Sequence, residues 1–256
     1  NIARYIADIP NNVEADPARY EEVQSAALIL ELNRQLSHEP NRPTGMDDGI
    51  FVKGFKAAGS SNLCMGVYLP DSVWLYMDDS GSELSEVGHR RWILNPTMGK
   101  TAFGHVGSYS AMYAFDTSNT TAPLKEYAAW PNGVFPVNLL NGYLSWSVSV
   151  PEAFISNPEA VSAEITRERG GKHWTLSKNS DKTNGAGFNI SSGYGYRPAI
   201  IFRPDYLNKE YLSDPLYTAE DVFRVKISGL TQALEYTVKL FDLDSKELIA
   251  NTQPKG

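Results

Sequence analysis

Gly88-His89-Arg90-Arg91-Trp92-Ile93-Leu94-Asn95-Pro96 is the stretch on which the reading of this chain turns. A histidine follows a glycine, two arginines follow the histidine, and an apolar run then closes on Asn-Pro. The proline restricts the backbone of the residue before it, so Asn-Pro marks a break. Upstream, no Lys or Arg occurs from Ala57 to His89, while Asp71, Asp78, Asp79, Glu83 and Glu86 supply five acids. A second histidine, His38, sits earlier in Leu36-Ser37-His38-Glu39-Pro40. Two imidazoles with one or two carboxylates suit a divalent cation such as zinc, or general acid–base work through water. The blander alternative is a solvated acidic loop with arginines in structural ion pairs.

Working outward, the first half reads as helices followed by a hairpin. Asp16-Pro17 is a cap followed by proline at the first helical position, which starts a helix over 17–36. Tyr20, Val23, Ala27 and Leu30 line one face of it, widened by Leu28, Leu32 and Leu36. His38 then falls at its end. Asp47-Asp48 caps a second helix that ends at Gly59, and Asp71 caps a short third one over 72–78. Segments 101–106 and 109–115 read as strands joined by a tight turn at Gly107-Ser108. The second half reads as all β. Segments 144–150, 223–227 and 236–240 alternate apolar and polar residues, the signature of half-buried strands. The expected fold class is therefore α+β. A boundary near residue 126 would divide residues 1–126 from a β-sandwich-like domain over 127–256.

Composition narrows the function. Of the 256 residues 42% are hydrophobic and 21% charged, which places the chain among folded globular proteins. The 23 basic against 30 acidic residues leave a net charge of −7. That balance argues against nucleic acid, whose binding rests on neutralising phosphates, and against an anionic membrane surface. Most of the excess lies in residues 1–126, with ten basic against sixteen acidic residues. No apolar run of the length needed for a transmembrane helix occurs. The single cysteine, Cys64, rules out an internal disulfide and a Cys-based zinc site. By itself it hints at a reducing compartment. No Gly-x-Ser-x-Gly elbow, P-loop or dinucleotide glycine motif is present.

Taken together, Ser37-His38-Glu39-Pro40, Ser60-Ser61-Asn62-Leu63 with Gly66, and the block around His89 followed by Phe103-Gly104 resemble the CAP superfamily. These are the cysteine-rich secretory, antigen 5 and pathogenesis-related 1 proteins, also called SCP-like extracellular proteins. The Gly-His-Arg-Arg-Trp form resembles the bacterial members, and the resemblance covers about residues 20–116. It implies an α-β-α sandwich whose cleft holds two histidines and two acids. His38 and His89 match the histidines. Ser61 stands where the family has a glutamate, with Asn62 beside it, and the second acid falls on Asp79, Asp78 or Glu86. The resemblance further implies export, with any signal peptide already removed, and a protein built without the disulfides of eukaryotic members.

Three functions follow as expectations. The first is ligand or partner binding by the His/acid cleft, the partner being a small molecule, lipid, glycan or protein. The second is a metal-assisted or His/Asp hydrolase acting on an extracellular polymer, with His38 and His89 as the metal ligands. The third is carbohydrate or cell-surface attachment by the β domain, prompted by its aromatic residues. Among those aromatics, Tyr194 and Tyr196 in the glycine-rich loop Gly193-Tyr194-Gly195-Tyr196 are the hardest to place in a core.

Overall fold

The structure is a computed structural model that describes residues 1–79, 86–121, 125–180 and 182–245. The first half runs α1 (Ile2–Ile6), β1 (Glu14–Ala15), α2 (Tyr20–Asn33), α3 (Asp48–Gly59), β2 (Ser61–Met65) and α4 (Leu69–Asp78). It continues with α5 (Gly88–Ile93), β3 (Lys100–Thr101), β4 (Phe103–Val106) and β5 (Tyr109–Tyr113). The chain is thus a mixed α+β protein with several sheets. Among the described residues no helix is long and apolar enough to cross a membrane.

Local chemistry explains these boundaries. The Asp16 carboxylate accepts the Ala18 N–H and starts a short turn at Pro17 that feeds α2. Asp47 accepts the N–H groups of Gly49 and Ile50 and caps α3. The helix expected over 17–36 is shorter, because Arg34 adopts a left-handed backbone at φ 52° that ends α2 at Asn33. Leu36 thus falls beyond the helix and is exposed, and Tyr20 and Leu32, though helical, are exposed as well. The buried face is Val23, Ala26, Ala27 and Leu30. Its small residues let neighbours approach closely: a Cβ on Gly54 of α3 would lie 2.5 Å from Ile29, and one on Gly104 of β4 would lie 2.2 Å from the Val23 carbonyl. α4 starts at Leu69 with Pro70 in its first turn, so Asp71 lies inside the helix instead of capping it. Trp92-Ile93, read as part of an apolar stretch, belongs to α5.

Strands β2, β5 and β4 form an antiparallel sheet in which Leu63 pairs with Ala111 and Cys64 with Ser110. Alternate residues point to opposite faces. Leu63 and Ala111 meet α2 and α3 in one core. Cys64 and Met112 join Tyr76 and Met77 of α4 and Ile93 of α5 in another. Helices therefore pack on both faces of this sheet.

The second half holds β6 (Ala128–Trp130), β7 (Gly133–Pro136), β8 (Trp146–Ser149), β9 (Ser162–Arg167) and β10 (His173–Ser177). After these come β11 (Gly187–Ser191), β12 (Ala199–Arg203), β13 (Val222–Ser228) and β14 (Leu234–Phe241). They build two sheets, β10-β9-β13-β14-β7 and β11-β12-β8-β6. β13 and β14 bury every second residue as the alternation predicts. β8 instead buries Ser147 as well as Trp146 and Val148, because its other face is also covered. On that side Val87 packs with Ala199 and Ile201 of β12, and Arg90 of α5 bonds the Ser145 carbonyl and the Ser147 hydroxyl. The largest core runs without a break from Tyr76, Ile93 and Met112 to Trp146, Phe202 and Val238. It crosses the expected boundary near residue 126.

Candidate functional site

His38 lies in the loop after α2, beyond the left-handed turn at Arg34. Its Nδ1–H donates to the Ala58 carbonyl, 2.8 Å away, near the end of α3. A carbonyl can only accept, so Nδ1 carries a proton, and in the neutral ring Nε2 then carries the lone pair. His89 is the second residue of α5. Its Nδ1 stands 3.0 Å from Asp79 Oδ1, and the same reasoning places its proton on Nδ1. Neither Nε2 makes a hydrogen bond among the described residues.

The local backbone makes the second pairing. Asp79 ends α4 in a left-handed conformation at φ 43°, which asparagine and aspartate tolerate better than most residues. This turns its carboxylate back over the start of α5, where Oδ2 also accepts the Arg90 backbone N–H at 3.3 Å. Val87, just before α5, is left-handed too at φ 44°. A β-branched residue rarely adopts that region, and complete burial against Ala199 and Ile201 holds it there. Below His89, Tyr76 stacks on the imidazole with ring centroids 5.5 Å apart. The Tyr76 hydroxyl donates to the Asn62 carbonyl, and the Asn62 amide donates to the His89 carbonyl, both at 3.0 Å. Burial pushes the Tyr76 phenol well above its ordinary pKa, so it stays a donor.

One cleft of about 500 Å³ gathers His38, Ser61, Asn62, Asp79, Glu86 and His89. Of the three acids weighed from sequence, Asp79 and Glu86 line it. Asp78 does not: its carboxylate accepts the Asn141 amide at 3.2 Å and faces a separate depression beside Trp74 and Leu140. Glu83 lies outside the described residues. Ser61 is buried, and its hydroxyl has no hydrogen-bond partner among the described residues.

Arg90 and Arg91 turn away from the cleft. Arg90 is fully buried and donates to the carbonyls of Met77, Asp78 and Ser145 and to the Ser147 hydroxyl. Burial draws its guanidinium down to about 10, against the opposing pull of Asp79 and Asp78, which leaves it charged at neutral pH. The Arg90 guanidinium thus meets the acidic stretch through the Met77 and Asp78 carbonyls, while its backbone N–H meets the Asp79 carboxylate. Arg91 donates to the Glu86 carbonyl, to both oxygens of Ser191 and to the Arg197 carbonyl.

Three walls of the cleft go beyond the residues expected from sequence: Trp92, Phe115 and Tyr194. Trp92 and Phe115 pack together with centroids 4.2 Å apart. Tyr194 comes from the second half, where its glycine-rich loop had set it apart from core aromatics. Among the described residues no three His, Cys, Asp or Glu side chains are grouped to hold a metal ion. No protein-family model and no curated protein matches this chain.

Proposed function

We propose that this is an exported CAP-type protein whose cleft binds a ligand with an apolar body and one hydrogen-bonding group. One observation carries the reading: His38 and His89 commit Nδ1 to partners of their own and leave Nε2 uncommitted at a shared cleft walled by Trp92, Phe115 and Tyr194. The volume is that of a small-molecule site, and apolar walls with a few fixed polar groups are what such sites need. Helices on both faces of the β2-β5-β4 sheet support the CAP reading. The walls supply most of the affinity and the imidazoles orient the ligand.

Titration with N-phenyl-1-naphthylamine, a neutral fluorophore with one N–H, tests this. Trp92→Ala is expected to weaken binding about tenfold or more, the scale of losing a buried aromatic contact. His38→Ala/His89→Ala should change it far less. Equal affinity in wild type and Trp92→Ala sinks the reading.

The Asp79–His89 pair supports a second reading. A carboxylate that holds the imidazole with its proton on Nδ1 makes Nε2 a general base toward a water, or a metal ligand. Zinc calorimetry on wild type and the double histidine variant separates the metal version: identical heats in the two remove it.

A further inference from the structure

We infer that Tyr194, delivered from the second half of the chain, decides what reaches the two imidazoles, and that Arg91 is the positioning residue that holds it there. The inference deepens the binding reading above and rests on it. Tyr194 is 47% exposed and lines the same cleft as His38 and His89. Its ring lies over Gly88, the neighbour of His89: a Cβ on Gly88 would come within 3.3 Å of Tyr194 Cγ. A glycine at this position therefore does two jobs. It opens α5, and it leaves room for an aromatic ring beside the histidine.

The loop that carries Tyr194 is fastened on both sides of it. Arg91 Nη1 donates to the Ser191 hydroxyl at 2.9 Å, and Nη2 to the Arg197 carbonyl at 2.8 Å. Between these anchors Gly195, at φ +69°, sits on the arginine itself, with a Cβ there only 2.7 Å from Arg91 Cβ. Arg91 is buried, so this clamp is shielded from competing water. His89 and Arg91 share helix α5. One turn of helix thus presents an imidazole to the cleft and grips the loop that carries Tyr194 to the same cleft. Standing at the cleft against Gly88, the Tyr194 ring narrows the approach to His89 and so favours slender or flat molecules over bulky ones.

Acylation by diethyl pyrocarbonate, read peptide by peptide in the mass spectrometer, tests access without any ligand. His173, exposed on β10, serves as the internal reference. Tyr194→Ala should raise the His89 rate several-fold over His173, while Tyr194→Phe leaves it unchanged. Gly195→Ala and Ser191→Ala, which disturb the clamp without removing the buried arginine, should raise it as well, with thermal melting confirming an intact fold. A His89 rate that Tyr194→Ala does not move overturns the role of Tyr194. A rate moved by Tyr194→Ala and by neither clamp variant overturns the role of Arg91. Fluorescence titration adds selectivity. Tyr194→Ala should improve Nile red, a bulkier neutral dye, relative to N-phenyl-1-naphthylamine by about tenfold, whereas Trp92→Ala weakens both. If neither dye binds the wild type, the binding reading fails, and the acylation rates still decide whether Tyr194 controls access.

Discussion

An imidazole carries its proton on one nitrogen or the other, and the neighbours of His38 and His89 decide which. The Ala58 carbonyl and the Asp79 carboxylate both require Nδ1–H. Long-range proton–nitrogen correlation spectra recorded above the imidazole pKa should therefore show both residues in the Nδ1–H form. Asp79→Ala should convert His89 to a mixture of tautomers and leave His38 as it was. Both histidines were legible in the sequence as residue types in suggestive motifs. What could not be read was the choice between Asp78 and Asp79. Neighbours in sequence differ here because α4 ends between them and the left-handed turn at Asp79 swings one carboxylate into the cleft. Tyr194 shows the same gap over a longer distance. The glycine-rich loop marked it as surplus to a core, but only Arg91 places it beside His89.

At the scale of elements, α2 is held between two glycines that replace side-chain contact by backbone contact. Gly104→Ala would drive a methyl group into the Val23 carbonyl at 2.2 Å, and such overpacking costs about 1–3 kcal/mol. Urea denaturation should show a midpoint lowered accordingly, with Gly54→Ala behaving alike. The caps at Asp16 and Asp47 were readable because capping chemistry is local. The end of α2 was not, since Arg34 carries none of the glycine or asparagine signal that a left-handed terminus usually shows.

Asp116, next to Phe115 of the cleft wall, ties down the turn into β3. Burial pulls its pKa upward, but the N–H groups of Gly99, Lys100 and Ser118 and the Ser118 hydroxyl pull it further down, to a net value below the ordinary range. A depressed carboxylate adds stability above its unfolded pKa of about 3.9 and loses it as the pH falls through the lower folded value. Acid unfolding should therefore lose part of its slope below about pH 4 in Asp116→Asn, measured by circular dichroism against the wild type.

The whole molecule is stitched together at α5. Arg90 and Arg91 of this one short helix bond Ser145, Ser147, Ser191 and Arg197 of the second half. A core that crosses residue 126 should melt as a unit. Tryptophan fluorescence and far-ultraviolet circular dichroism should give coincident denaturation curves, and two separated transitions would contradict this. Arg90→Ala strips the partner from two buried carbonyls and one half-buried carbonyl and should destabilise the protein by about 3 kcal/mol or more. This continuity was hidden in the sequence. Alternation in 144–150 predicts a strand with one buried face, and nothing local says that a helix some fifty residues earlier covers the other.

Cys64 gives this architecture a built-in reporter. The chain's single thiol is buried in the middle of β2, with its sulfur 2.9 Å from the Ser110 hydroxyl on the neighbouring strand. A thiol reagent in water can reach it only when the β2-β5-β4 sheet or the helices α4 and α5 packed over it open. The labelling rate therefore measures how often this part of the fold opens under native conditions. Ligands that bind the cleft should slow that rate in proportion to their occupancy, with no fluorescent dye or engineered residue needed.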